Sequence, residues 1–239
     1  MPKRIRPRLF NENSLNHSKL RRKWKTWLPH LKDDLADLLR KKEIFWDLQK
    51  IAEENQKVLA PNTFFDWMCR NYIVAVCVGI RRFADQDKRS RSLWRMLFEI
   101  LENPGVINRR YFLALGYNKS TKVRASEIAF DKIVGPDKDV LTQAQVRSDL
   151  RKIEDYTERI RRFTNKRIAH FSNPGSIKRL PIFDELDTAL KSLDDTICKY
   201  NVLLAAEALN SLHAIPQYNW TEVLESPWIL PGSKFSTEI

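Results

Sequence analysis

Residues 62–83, NTFFDWMCRNYIVAVCVGIRRF, decide the fold. The β-branched residues of Ile73, Val74, Val76, Val78 and Ile80 suit a strand. Phe65, Met68, Tyr72, Val76, Gly79 and Phe83, however, continue one face at spacings of three and four through both flanks, and that is the period of a helix. Asn62 after Pro61 supplies an N-cap. The run from Tyr72 to Ile80 is apolar nearly all round, which predicts an interior helix enclosed by others. It is also the longest uninterrupted apolar run, far below the roughly 20 residues needed to cross a bilayer.

Working outward, HLKDDLADLLRKKEIFWDLQKIAEENQK (residues 30–57) places Leu31, Leu35, Leu38, Leu39, Phe45, Leu48 and Ile51 at helical spacing. This predicts a long amphipathic helix. Ser90 or Ser92 caps a helix whose stripe is Leu93, Leu97, Ile100 and Leu101 and whose end is marked by Asn103, Pro104 and Gly105. Residues 115–139 hold Gly116, Gly135, Pro136 and the hydroxyl-rich NKSTKVR, and read as a connection with one short helix near Ser126–Ile133. Helix is expected again from about Leu141 to Phe171, with Val146, Leu150, Ile153, Ile160 and Phe163 buried. A last helix from Ile182 follows Leu186, Leu190, Leu193, Ile197, Leu204 and Ala208 as far as Ile215–Pro216.

The expected architecture is all-α, a bundle of four or five main helices. Residues 1–29 form a basic N-terminal arm that Pro29 separates from the helix after it, residues 30–215 form the bundle, and residues 216–239 form an aromatic tail packing on it through Trp220, Trp228, Ile229 and Leu230. Composition agrees, since only 6 of 239 residues are glycine and 30% are charged, a profile of helices rather than tight-turned sheets. The scattered glycines build neither a GxGxxG turn nor a GxxxxGK[ST] phosphate loop, which excludes nucleotide-binding enzymes of those kinds. Cys69, Cys77 and Cys198 lack metal-ligand or disulfide spacing and suit a reduced cytosol. The start MPKRIRPRLF has no apolar signal core. The sequence therefore reads as that of a soluble, cytoplasmic protein without membrane contact.

The net charge is +12, and most of it lies at one end. Residues 1–42 hold 13 Lys and Arg against 4 Asp and Glu, whereas residues 43–239 hold 29 against 26. A basic end with Trp24 and Trp27 interleaved attracts polyanions, RNA among them, through Arg4, Arg6, Arg8, Arg21, Arg22 and Lys23. The same end also reads as a solvated arm. The carboxylate groups Asp33–Asp34–Asp37 and Asp184–Glu185–Asp187 read as charged helix faces, so no metal or cofactor is expected.

His17, His30 and His213 have ordinary surroundings. His170 differs, because TNKRIAHFSNPG sets it at a helix end one turn beyond Lys166 and Arg167, immediately before a Pro-Gly stop. The helix C-terminus favours imidazolium and the two cations oppose it, a balance that suits acid or base catalysis. The plainer reading is a histidine that hydrogen-bonds the last carbonyls. Arg81 and Arg82 similarly read either as cations for a polyanion or as ion-pair partners of Asp85 and Asp87.

At these residues the chain resembles a known family. IRRFTNKRIAHFSNP (residues 160–174), with the upstream block GIRRFADQDKRSRSLWRMLFEIL (residues 79–101), is similar to the motif regions of the HEPN superfamily, closest to its AbiU-like abortive-infection branch. The likeness covers roughly residues 35–215. It implies a HEPN-like helical bundle in a phage-defence or toxin–antitoxin system, a homodimer, and a partner such as an antitoxin or a nucleotidyltransferase. Active members pair a histidine with an upstream arginine, four to six residues lying between them, as a metal-independent endoribonuclease. His170 matches the histidine and Asn165 the polar residue after the arginine, while Thr164 stands in the arginine's place. Lys166 and Arg167, or Arg162, Arg81 and Arg82, are the candidates to supply the missing cation. Two readings stay open on the sequence: an RNA-binding protein that cleaves with His170, or a non-catalytic module that binds nucleic acid or protein, with His170 structural.

Overall fold

The computed structural model describes residues 8–55, 63–116, 120–170, 172–173, 175, 177–213, 218–229 and 232–234, the side chains of 8–14 and 120–123 excepted. Among them are seven α-helices: α1 (Arg8–Glu54), α2 (Thr63–Phe83), α3 (Leu93–Glu102), α4 (Arg109–Leu115), α5 (Ser120–Val134), α6 (Gln143–Phe163) and α7 (Phe183–Ala205). The fold is all-α, as the periodicity requires. Helices α1, α2, α6 and α7 form the central bundle; α3 packs on α6, and α4 with α5 covers one side. Ser92 caps α3 through the Arg95 N–H, and Thr142 with Gln145 closes a capping box on α6.

Pro29 does not break the first helix. It lies inside α1, where proline removes a hydrogen bond and ordinarily costs about 3 kcal/mol. A continuous stripe of Trp24, Trp27, Leu28, Leu31, Leu35, Leu38, Leu39 and Phe45 is buried on both sides of it. At about 1.5–3 kcal/mol for each large buried side chain, packing outweighs the lost bond. The segment from about residue 15 is therefore a structural helix, and its two tryptophans sit in the core.

Gly79 explains how closely α2 approaches α1. A methyl group there would lie 2.6 Å from both Cδ atoms of Leu38, itself buried, so the Leu38 side chain would have to shift. Beside this contact α2 is more open than the apolar run suggested. Val74 is 44% exposed, since α1, α6 and α7 flank the helix without closing around it.

Lys23 and Trp24 are locked to α3 by a buried carboxylate. Glu99 accepts from Lys23 Nζ at 2.7 and 2.9 Å, from Trp24 Nε1 at 2.9 Å and from Arg95 Nε at 3.2 Å. Burial raises its pKa, but the bonds from Lys23 and Trp24 and the charges of Lys23 and Arg95 bring it below its ordinary 4.5. Nearby, Arg21 donates to the Val106 carbonyl at 2.9 Å and lies over the Tyr111 ring at 4.3 Å, and the Tyr111 hydroxyl donates to Leu204 O at the end of α7.

Three further stretches differ from the sequence expectation. The connection over residues 115–139 contains the whole of α5, ordered because Phe130 and Val134 bury against α4, with Phe112 and Phe130 rings 5.4 Å apart. Helix α7 stops at Ala205 and not near Pro216. Ala206 takes the left-handed φ of 57°, rare without glycine, and the chain doubles back so that Ser211 Oγ and the Leu212 N–H both donate to the buried Asp194 of α7. The tail forms a short 3₁₀ turn, Trp220–Glu225, and leaves Trp228 and Ile229 exposed; Trp228 meets Phe64 edge-on at 6.1 Å. Arg4, Arg6 and Leu230 lie outside the described residues.

Glu99→Ala strips the half-buried Lys23 and the buried Trp24 of their acceptor and is expected to cost about 1–3 kcal/mol in urea denaturation. Because the folded pKa of Glu99 is depressed, its contribution is complete above 4.5 and is lost as pH falls through the folded value. The stability gap between wild type and variant should therefore shrink in acid.

Candidate functional site

The two blocks singled out in the sequence meet in space. The end of α2 lies against the end of α6, which passes without a break into one π-helical turn, Thr164–Ile168. Thr164 accounts for the change of pitch. Its hydroxyl donates to the Ile160 carbonyl one turn back, at 2.8 Å, and approaches the Cys77 carbonyl of α2 at 3.2 Å, a back-bonding pattern that bends helices. The Ala169 N–H then reaches five residues back to Thr164 O, at 2.8 Å. Such wide turns recur at functional sites because they re-aim the residues that follow them.

Thr164 is 1% exposed. The position at which the family pattern has arginine therefore faces the α2–α6 contact and not a cleft. The adjacent Asn165 turns outward, and its Oδ1 accepts a hydrogen bond from Nε of Arg81. The Arg81 side chain is half-buried, and this bond places its guanidinium beside the residue that follows the missing arginine. Of the candidates for the absent cation, Arg81 is the one the fold brings to Asn165.

The remaining predicted residues separate. Lys166 is half-buried in the π turn and Arg167 is exposed on it. His170 is exposed at the end of the turn, and among the described residues no hydrogen bond or ion pair engages its ring, including the bond to the last carbonyls that its position suggested. Arg82 turns the other way and pairs with Asp34 of α1 at 2.8 Å. The expected pairing of Arg81 and Arg82 with Asp85 and Asp87 is absent: Asp87 holds Arg89 instead, and the two arginines diverge because consecutive helical positions do. Arg162 is exposed on α6. Arg22 is exposed on α1, whereas Arg21 and Lys23 are occupied by Val106, Tyr111 and Glu99. Arg8 begins α1, and its side chain lies outside the described residues.

Other chemistry near the site is limited. Cys77, beneath Thr164, is fully buried, and burial pushes its thiol up to about 12, which leaves it without thiolate character at neutral pH. Among the described residues no group of three or more His, Cys, Asp or Glu side chains is placed to hold a metal ion, and no helix is long and apolar enough to cross a membrane.

The all-α bundle, with the basic motif at the end of one long helix, agrees with the HEPN class that the sequence resembles. The family model for AbiU2 within that class matches residues 21–220, and the chain belongs to this family of abortive-infection HEPN proteins. Comparison with curated proteins and with solved structures gives no match.

What sequence spacing did not reveal is the link between Arg81 and Asn165, which lie 84 residues apart. Nor did it reveal a second basic group around Arg159, Lys178 and Arg179, although cations at 159, 162 and 166 on one helical face were the available signal. Restoring arginine at the family's position is expected to test the core rather than the chemistry. Thr164→Arg forces a guanidinium between α2 and α6 and should lower stability by more than about 3 kcal/mol, while Thr164→Val, which removes only the hydroxyl, should cost about 1 kcal/mol. Chemical denaturation of both variants measures the difference.

Proposed function

We propose that this protein acts in a phage-defence or toxin–antitoxin system as an RNA-binding, metal-independent endoribonuclease. In this reading Arg81 takes the part of the motif arginine and His170 is the acid–base residue. The observation that carries it is the Arg81–Asn165 hydrogen bond, which sets a guanidinium from α2 at the motif end of α6. Asn165 engages Nε and leaves the two terminal nitrogens of Arg81 to face a phosphate, the fork geometry in which arginine binds such groups.

His170 takes the proton of a ribose 2′-hydroxyl as the 2′-oxygen attacks the adjacent phosphorus. The bond from phosphorus to the 5′-oxygen breaks, and that oxygen must receive a proton to leave as a hydroxyl. A second copy of the chain supplies this acid in the homodimer that the family resemblance implies, and the products are a 2′,3′-cyclic phosphate and a 5′-hydroxyl end. Arg81 stabilises the charge that develops on the phosphoryl oxygens. The cellular partner in this reading is an antitoxin or a nucleotidyltransferase, and the compartment is the cytoplasm.

The burial of Thr164 favours one competing reading, in which the bundle binds RNA or protein without cleaving and His170 is structural. The two part on a single measurement. With RNA and chelator present, His170→Ala should lower the cleavage rate by about 10²- to 10⁴-fold with an unchanged melting temperature, and Arg81→Lys should reduce it as well, since lysine lacks the fork. Equal cleavage by wild type and His170→Ala would remove His170 as the acid–base residue, and no cleavage by either would leave only the binding module. Sedimentation at micromolar concentration should give a dimer; a strict monomer would remove the shared cleft.

A further inference from the structure

Beside the motif, the exposed face of α6 and the segment after it enclose a cavity of about 300 Å³ lined by Arg159, Arg162, Gly175, Ile177, Lys178 and Arg179. Gly175 has a φ of +80°, the left-handed conformation that glycine adopts without strain, in the stretch that brings residues 177–179 against α6.

Four cations face this cavity and one carboxylate reaches them. Glu185, at the start of α7, engages Arg159 and, at 3.6 Å, Arg179 through Oε1, while its Oε2 accepts the Ile182 N–H at 3.2 Å in the helix cap. Glu185 therefore fixes two arginines without neutralising the group. Arg161 turns away and pairs with Glu158. Among the described residues neither Arg162 nor Lys178 has an acidic partner, and both are exposed. The larger cavity at the α2–α3 turn offers a contrast: there His30, Arg82 and Arg91 are accompanied by Asp34 and Asp85, and Arg82 is already paired. An unmatched excess of positive charge in a concave site focuses anions, and guanidinium forks favour phosphate.

We infer that the Arg159–Arg162–Lys178–Arg179 cavity is a phosphate subsite that holds a single-stranded RNA through a phosphate flanking the one attacked. This rests on the reading of the chain as RNA-binding. Arg162 lies in α6 ahead of the π turn and His170 lies beyond it, so the cavity sits beside the motif rather than on it. A strand seated there runs along the outer face of α6 towards the π turn.

The test uses the full chain carrying His170→Ala, so that RNA stays intact, and a fluorescein-labelled single-stranded RNA oligonucleotide followed by fluorescence anisotropy. Arg162→Ala with Lys178→Ala removes the two cations that hold no structural bond, so the melting temperature should not change. Affinity should fall about tenfold or more, and the slope of log affinity against log salt should lessen by about 0.7, the value for one phosphate of a single strand no longer neutralised. Arg162→Lys with Lys178→Arg should keep most of the binding. Unchanged affinity and slope in the double alanine variant would overturn the subsite. Competition by a ribonucleoside monophosphate at the same concentration as the oligonucleotide would show a free-nucleotide site and overturn the assignment to a strand. The outcome is separable from catalysis. RNA that binds through these cations but is never cut by the protein with His170 intact removes the nuclease reading alone, and cutting with unchanged KM in the double variant removes the subsite alone.

Discussion

The bracketing of α2 between α1 and α6 is the constraint on which the rest of the molecule turns. On one side Gly79 admits Leu38 to a distance no larger side chain permits. On the other, two residues earlier, the Cys77 carbonyl lies 3.2 Å from the hydroxyl of Thr164. Together they fix both the depth and the rotation of α2, and Arg81 follows at its C-terminal end with little freedom in where its guanidinium emerges. The hydrogen bond to Asn165 is thus a consequence of apolar packing one turn away. A densely packed interior transmits position in this manner because its neighbours cannot shift independently.

Charge in this protein serves two separate purposes. Near the N-terminus Arg21 and Lys23 tie α1 to the loop after α3 and to a buried glutamate, and their charges are spent inside the molecule. Arg22 between them faces water, as do Arg162 and Lys178 at the other end of the chain. The division follows helical geometry, since successive residues are turned by about 100° and adjacent cations point in different directions. Net charge therefore overstates the free positive charge of the first 42 residues, while the cationic cavity beside α6 lies in residues 159–179, which hold seven Lys and Arg and no Asp or Glu.

Where local chemistry is sufficient, sequence and structure agree. Ser92 caps α3, and the period of three and four carries α2 through its β-branched run. The middle of each stripe, from Leu31 to Phe45 in α1, from Val146 to Ile160 in α6 and from Leu186 to Leu204 in α7, is buried where the spacing places it, while Leu48, Ile51 and Phe163 are half-buried and Ile182 and Ala208 are exposed. The disagreements share a cause. Pro29 sits within a helix because the stripe from Trp24 to Leu35 is buried on both sides of it. Residues 120–125 are helical because Phe130 and Val134 find Phe112. Helix α7 ends early because Asp194 is buried and draws the chain back to satisfy its oxygens. In each case a distant partner outweighs a local preference of a few kcal/mol or less.

The sequence by itself determined the class of fold, the family, and the presence of a polar and basic motif ending at His170, since all three are carried by residue types at short spacings. Tertiary structure decided what the motif consists of. It took Thr164 into the core, joined Asn165 to an arginine 84 residues away and left His170 in solvent. Contacts between segments distant in the chain depend on how helices rotate and approach one another, and those quantities are set by packing summed over the whole bundle rather than by any local stretch.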